Sequence, residues 1–113
     1  MTSAEVAIER QGGAVVAHLS GEVDMTNAAR VREELLVSIP NDALALVIDL
    51  DGCRYLDSAA IEVIFDLARR LGRRRQELRL VLPPGSPLSR VLMLTEVHSV
   101  APVHETLDSA LAQ

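Results

Sequence analysis

Neither lysine nor tryptophan occurs in this 113-residue chain, which holds one cysteine, one tyrosine and one phenylalanine. Each scarcity excludes something. Without lysine, Schiff-base chemistry has no side-chain amine to use. With Cys53 alone, no internal disulfide can form, which fits a reducing compartment. Tyr55 and Phe65 are the whole aromatic inventory, so the core must be built from Leu, Val, Ile and Ala, and binding by aromatic stacking has almost nothing to work with.

An excess of positive charge is also missing. Eleven arginines face sixteen acids, a net charge of −5, whereas nucleic-acid binding rests on basic side chains neutralising phosphates. No direct nucleic-acid partner is expected. No apolar run approaches the roughly eighteen residues that cross a bilayer, so membrane insertion is not expected either. The start, MTSAEVAIER, has acids among its apolar residues and lacks the basic, then apolar, pattern of a secretory signal. The expected location is cytoplasmic. His18, His98 and His104 show no metal-ligand spacing with one another or with Cys53, and neither GxGxxG nor GxxxxGK[ST] is present. No metal, nucleotide or other cofactor is therefore expected.

What is present suits a folded protein: 49% hydrophobic and 24% charged residues, close to globular averages. The length suits a single domain over 1–113, with no linker, repeat or low-complexity stretch to divide it. Charge is uneven. Residues 1–57 hold four Arg and ten acids, a net of −6; residues 58–113 hold seven Arg and six acids, a net of +1. The arginines at 69, 70, 73, 74 and 75 fall at a helix end, where cations oppose the negative end of the dipole; a solvated helix end explains them more simply than an acidic partner does.

Val6 and Ile8 alternate with polar residues, Gly12-Gly13 offers a turn, and Val15 to Leu19 is again apolar-rich, which predicts a β-hairpin. Ala28, Val31, Leu35 and Ile39 recur at helical spacing, with Asp24 or Thr26 as cap and Pro40-Asn41-Asp42 as stop. Leu44 to Leu50 reads as a strand buried on both faces of a parallel sheet. A helix follows from Asp57-Ser58, with Ile61, Ile64, Phe65, Ala68 and Leu71 inward and Gly72 at its end. Leu78, Leu80 and Leu82 mark a further strand. A short helix is expected within Ser86 to Thr95, an edge strand at Val100 to Val103 and a last helix at Glu105 to Ala112. The order is ββαβαβα(β)α. Such alternation implies an α/β domain with a mixed, mostly parallel sheet, an N-terminal hairpin and about four helices.

Ser58 is the residue where chemistry is most nearly encoded. Strand, turn and helix around a serine is also the arrangement of a hydrolase nucleophile, but that elbow needs small residues two positions either side, and Leu56 and Ala60 stand there. No catalytic residue is assigned, and the protein is not expected to be an enzyme. The simplest role for Ser58 or Asp57 is to cap a helix. A helix N-terminus is equally a place where an added phosphate finds unpaired N–H groups and a favourable dipole.

The segment from Val47 to Ile61, VIDLDGCRYLDSAAI, resembles the signature of the STAS family, whose bacterial members include anti-sigma factor antagonists. Gly21-Glu22-Val23-Asp24 is similar to that family's second hallmark, a segment before the first helix. The resemblance covers essentially the whole chain. It implies a STAS-like fold and a partner-switching protein that binds an anti-sigma factor which is also a serine kinase, so releasing a sigma factor. Phosphorylation then ends the contact, and a phosphatase resets it. In the family's D-S-S-G motif the first serine accepts the phosphate; that position matches Ser58, and Asp57 and Asp24 match acids at the same surface. Ala59 replaces the second serine and Ala60 the glycine, the latter adding a methyl to the surface a kinase approaches. Asp24, Asp57, Ser58, Ala59, Ala60 and Glu62 are thereby implied as the partner-binding set. The resemblance leaves a second possibility, a STAS interaction module without phosphoregulation, such as a scaffold or a lipid-transport accessory subunit.

Overall fold

The chain was analysed as a computed structural model, which describes residues 2–112. The expected hairpin forms: β1 (Ala4–Gln11) runs antiparallel to β2 (Ala14–Val23), and Gly12 takes φ +60° in the two-residue turn between them. On its other side β2 pairs in parallel with β3 (Ala45–Asp49), and β5 (Glu77–Val81) then pairs with β3, and β6 (Val103–His104) with β5. The sheet order is β1-β2-β3-β5-β6. A further strand, β4 (Cys53–Leu56), lies off this path and pairs in parallel with the end of β2 from Gly21 to Val23, with Arg54 as an extra residue where the register shifts between Gly21 and Glu22. Only the hairpin is antiparallel, so the sheet is mixed as predicted.

Helices α1 (Ala28–Ser38) and α2 (Ser58–Arg73) cover one face. There Val31 and Leu35 of α1 and Ile64, Leu67 and Leu71 of α2 pack with the inward side chains of β2, β3 and β5. Leu35, Leu67 and Leu71 are essentially inaccessible to solvent, and burying each such side chain stabilises the fold by about 1.5–3 kcal/mol. The short helix α4 (Leu107–Leu111) covers part of the opposite face, over Val16, Val47 and Val81. β3 is thus covered on both sides, which is why its sequence is continuously apolar. Arg79, buried on that second face, donates from Nη1 to the Ala110 carbonyl at 3.0 Å and so closes the end of α4.

Several expected boundaries move. The residues read as a plain connection before Asp57 contain β4. Its two buried residues, Cys53 and Leu56, are three apart, so it lacks the period-two signal of a half-buried strand. Leu44 lies outside β3 and is exposed, packing over Gly13 instead. α1 is capped neither by Asp24 nor by Thr26: the residue before it is Asn27, whose side chain accepts from Asp24 N–H and donates to the Glu22 carbonyl. Gly72 does not end α2; the helix continues to Arg73 and closes with Arg75 at φ +59°. There Gln76 N–H reaches Leu71 O at 2.8 Å and Arg75 N–H reaches Gly72 O at 3.1 Å, the paired bonds of a Schellman ending. α3 is confined to Ser89–Leu94, and the edge strand is Val103–His104, which excludes Pro102.

Candidate functional site

The first turn of α2 is organised by Asp57. Its backbone is extended, its Oδ1 accepts from Ala60 N–H at 3.0 Å, and its carbonyl accepts from Ile61 N–H at 3.0 Å. The cap is therefore Asp57, and Ser58 is the first residue inside the helix. A helix start leaves four N–H groups without intrahelical partners. Of these, the Asp57 amide is taken by Val23 O and the Ala60 amide by the Asp57 carboxylate, leaving the Ser58 and Ala59 amides beside an exposed serine hydroxyl. Among the described residues the Ser58 hydroxyl has no hydrogen-bond partner.

The same carboxylate reaches a second segment. Asp57 Oδ2 accepts from Met25 N–H at 3.0 Å, and Asp57 N–H donates to Val23 O at 3.2 Å, so the β2–α1 loop and the start of α2 form one surface. Within that loop Asp24 Oδ1 accepts from the Thr26 amide at 2.9 Å and from the Thr26 hydroxyl at 2.5 Å. Those bonds, first the hydroxyl and then the amide, hold the Asp24 carboxyl below its ordinary value. Asp24 thus stays anionic at neutral pH.

The structure brings Asp24, Asp57 and Ser58 together, with Ala59 half-buried beside them and Glu62 exposed one turn along α2. Ala60 does not join them. It is 3% exposed and its methyl belongs to the core, not to the surface where the sequence reading put it. The reading also missed Met25, which is 79% exposed at the mouth of an open groove of about 580 Å³ between α1 and α2. Ala29, Ala59 and Val63 line the groove, with Arg32, Arg69 and Glu62 around it. A methionine between Asp24 and Thr26 carries no sequence signal of exposure; only the Asp57 bond that fixes its backbone reveals it.

Other reactive side chains are committed elsewhere. His18 on β2 uses both ring nitrogens, Nδ1 to Asp49 at 2.8 Å and Nε2 to Glu9, so neither is free to act as a base for Ser58. Cys53 is buried, and that burial pushes its thiol pKa up, which disfavours the reactive thiolate. Among the described residues no group of three or more His, Cys, Asp or Glu side chains is placed to hold a metal ion, and no helix is long and apolar enough to cross a membrane.

A mixed sheet with helices on both faces, an opening hairpin and an exposed serine at the head of α2 define a small α/β domain whose candidate site is a surface. The STAS domain model matches residues 5–110, and the chain belongs to that family. Among its relatives is the anti-sigma-F factor antagonist RsfA of Mycobacterium tuberculosis, 29% identical over 111 residues, covering 96% of this chain and 85% of RsfA. The putative anti-sigma factor antagonist BtrV of Bordetella bronchiseptica is 28% identical over 109 residues, covering 96% and 92%. In three dimensions the chain resembles the crystal structure of an anti-sigma factor antagonist from Mycobacterium paratuberculosis, with a TM-score of 0.86, 28% identity and coverage of 97% of this chain and 92% of that one.

Proposed function

We propose that this protein is an anti-sigma factor antagonist: it binds an anti-sigma factor that is also a serine kinase, and phosphorylation of Ser58 ends the contact. The names of its relatives support the antagonist role. The observation that carries the switch is the placement of Ser58, exposed at the first position of α2 and outside the hydrogen bonds that hold the helix start, which run through Asp57.

That placement makes modification compatible with the fold. The Ser58 hydroxyl loses its proton as its oxygen takes the γ-phosphoryl group of ATP, and ADP leaves. The product carries about −1.5 to −2 charges at neutral pH. Two unpaired amides and the positive end of the α2 dipole favour that charge locally. An acidic or apolar partner surface pressed against Asp24, Asp57, Ala59 and Glu62 does not, because desolvating the phosphate and bringing like charges together both oppose docking. The switch is repulsion at an interface, and a phosphatase that removes the group restores binding.

The test is intact-mass analysis after incubation with the cognate kinase and ATP, for wild type and Ser58→Ala, with affinity measured for Ser58→Asp. One added phosphate that disappears with Ser58→Ala, and weaker binding by a normally folded Ser58→Asp, are the expected results. Equal binding by both variants and no phosphate with any cognate kinase leave a constitutive STAS interaction module.

A further inference from the structure

β1 forms one edge of the sheet, and its outer side is open. Glu22 N–H donates to Ser3 O at 2.8 Å, and the register runs from Ala4 opposite Gly21 to Gln11 opposite Ala14. Ladder bonds in an antiparallel pair engage alternate residues, so the odd-numbered residues face β2. Ala4, Val6, Ile8 and Arg10 turn their amides and carbonyls outward. Arg30 Nη2 meets the Ala4 carbonyl at 2.8 Å. Val6, Ile8 and Arg10 have no strand opposite them among the described residues.

Residues of one parity share a face, and the face of Val6 and Ile8 meets α1 across an open slot of about 530 Å³ lined by those two residues, Val37, Ser38, Glu33 and Glu34. Ile8 is 45% exposed and Val37 81%. An unpaired edge is therefore combined with an apolar trough walled by acids.

We infer that β1 and this slot bind an extended segment of a partner protein, which adds a strand to the sheet, seats apolar side chains in the slot at alternate positions, and turns the basic side chains between them to the other face, where Glu5 and Glu9 stand. Backbone bonds supply affinity in this mode and alternate side-chain pockets supply selectivity. Charge complementarity selects the basic segment: Glu5 and Glu9, of opposite parity to Val6 and Ile8, stand on the other face of β1, Glu33 and Glu34 wall the slot, and the chain carries a net charge of −5. Arg30 pairs with Glu34 at 2.6 Å, while Glu33 has no ion-pair partner among the described residues.

A second copy of this chain fits less well. A two-fold pairing that sets Val6 against Ile8 also sets Glu5 against Glu9 twice, and like charges directly opposite are destabilising. A pairing centred on Ile8 avoids that clash but places both α1 helices, with their Glu33-Glu34 pairs, on the same side of the seam. Val37 lies near the far end of α1 from Asn27, about 15 Å along the axis. The slot therefore lies at the opposite end of α1 from the loop that flanks Ser58.

The experiment uses the full chain and a capped, fluorescein-labelled peptide of alternating arginine and valine, with an arginine–serine peptide as control. The valine peptide is expected to bind and to slow amide exchange at Val6, Ile8 and Arg10. Val37→Arg and Glu5→Lys are each expected to weaken binding by about tenfold or more without changing the thermal midpoint. Ile8→Pro removes an outward donor and no ladder bond, and is expected to abolish binding. Equal binding of the serine peptide, binding without protection of those three amides, or no binding at millimolar peptide overturns the proposal. So does protection of the same amides that grows with protein concentration alone, which assigns the edge to a second copy.

Discussion

Asp57 and Met25, thirty-two residues apart in sequence, are joined by a 3.0 Å bond from the Met25 amide to the Asp57 carboxylate, whose other oxygen caps α2. One side chain thereby fixes both halves of the candidate surface. Replacing a capping Asp with Ala costs about 0.5–2 kcal/mol, and here a second backbone donor loses its acceptor as well. Asp57→Ala is expected to destabilise by about 2 kcal/mol and to speed amide exchange at Met25, while Asp57→Asn, which keeps one acceptor oxygen, loses less. Urea denaturation with residue-resolved exchange checks both.

Gly21 stands in β2 at φ +92°, and a Cβ built there lies 2.2 Å from the Ser3 carbonyl oxygen. Backbone, not a flexible side-chain tip, blocks the substitution. Gly21→Ala is expected to cost about 3 kcal/mol or more, read as a fall in the denaturation midpoint. Gly12 also has positive φ but nothing within 4 Å of a built Cβ, so Gly12→Asn, which tolerates the left-handed region, is expected to change stability little.

At the other end of α2, Arg75 occupies the left-handed position of the Schellman ending at φ +59°. Glycine takes that conformation without the clash of Cβ against the carbonyl. Arg75→Gly is expected to stabilise the protein by about 1 kcal/mol, seen as a higher midpoint in thermal denaturation.

His18 lies between two carboxylates on the sheet face that α4 leaves uncovered. Its pKa is raised, chiefly by the hydrogen bond to Glu9 and further by Asp49, with partial burial opposing; that of Glu9 is lowered, chiefly by the bond to His18. The stabilisation from His18 is fully present below its ordinary value of 6.5 and is lost as pH rises through the raised one. That from Glu9 is present above 4.5 and is lost as pH falls through its lowered one. The cluster therefore contributes most between those two ordinary values. Wild type is expected to lose thermal stability relative to His18→Gln as pH is raised from about 6 to about 8, and pH-dependent calorimetry of the two proteins decides it.

The order of the long elements and the Asp57-Ser58 helix start were legible in the sequence because each rests on local pattern. The hairpin shows as alternation around Gly12-Gly13, β3 as an apolar run, and α2 as a helical stripe behind a capping pair. What the sequence hid depends on register. β4 exists because the last residues of β2, Gly21 to Val23, extend past the end of β3 and take a new partner. Glu9, His18 and Asp49 meet only because antiparallel and parallel pairings place β1 and β3 on either side of β2. Gly21 could be recognised as half of a motif, but its reason, the Ser3 carbonyl against its α-carbon, is a contact between segments that no spacing reveals. Ala60 was misplaced for a related cause: position within the first helical turn decides which face a side chain takes, and the helix begins one residue earlier than a serine cap would have it.

β2 is flanked first by β3 and then, from Gly21 onward, by β4, so the chain from Ala45 to Leu56 follows a single strand in one direction before entering α2. Ser58 is consequently presented by the assembled sheet rather than by a flexible loop. A synthetic peptide copying residues 52–62 keeps every side chain of that segment, yet it loses the Met25 anchor and the strand that aims the helix. The kinase proposed for Ser58 is therefore expected to use the folded surface, with denatured protein or the short peptide the poorer substrate.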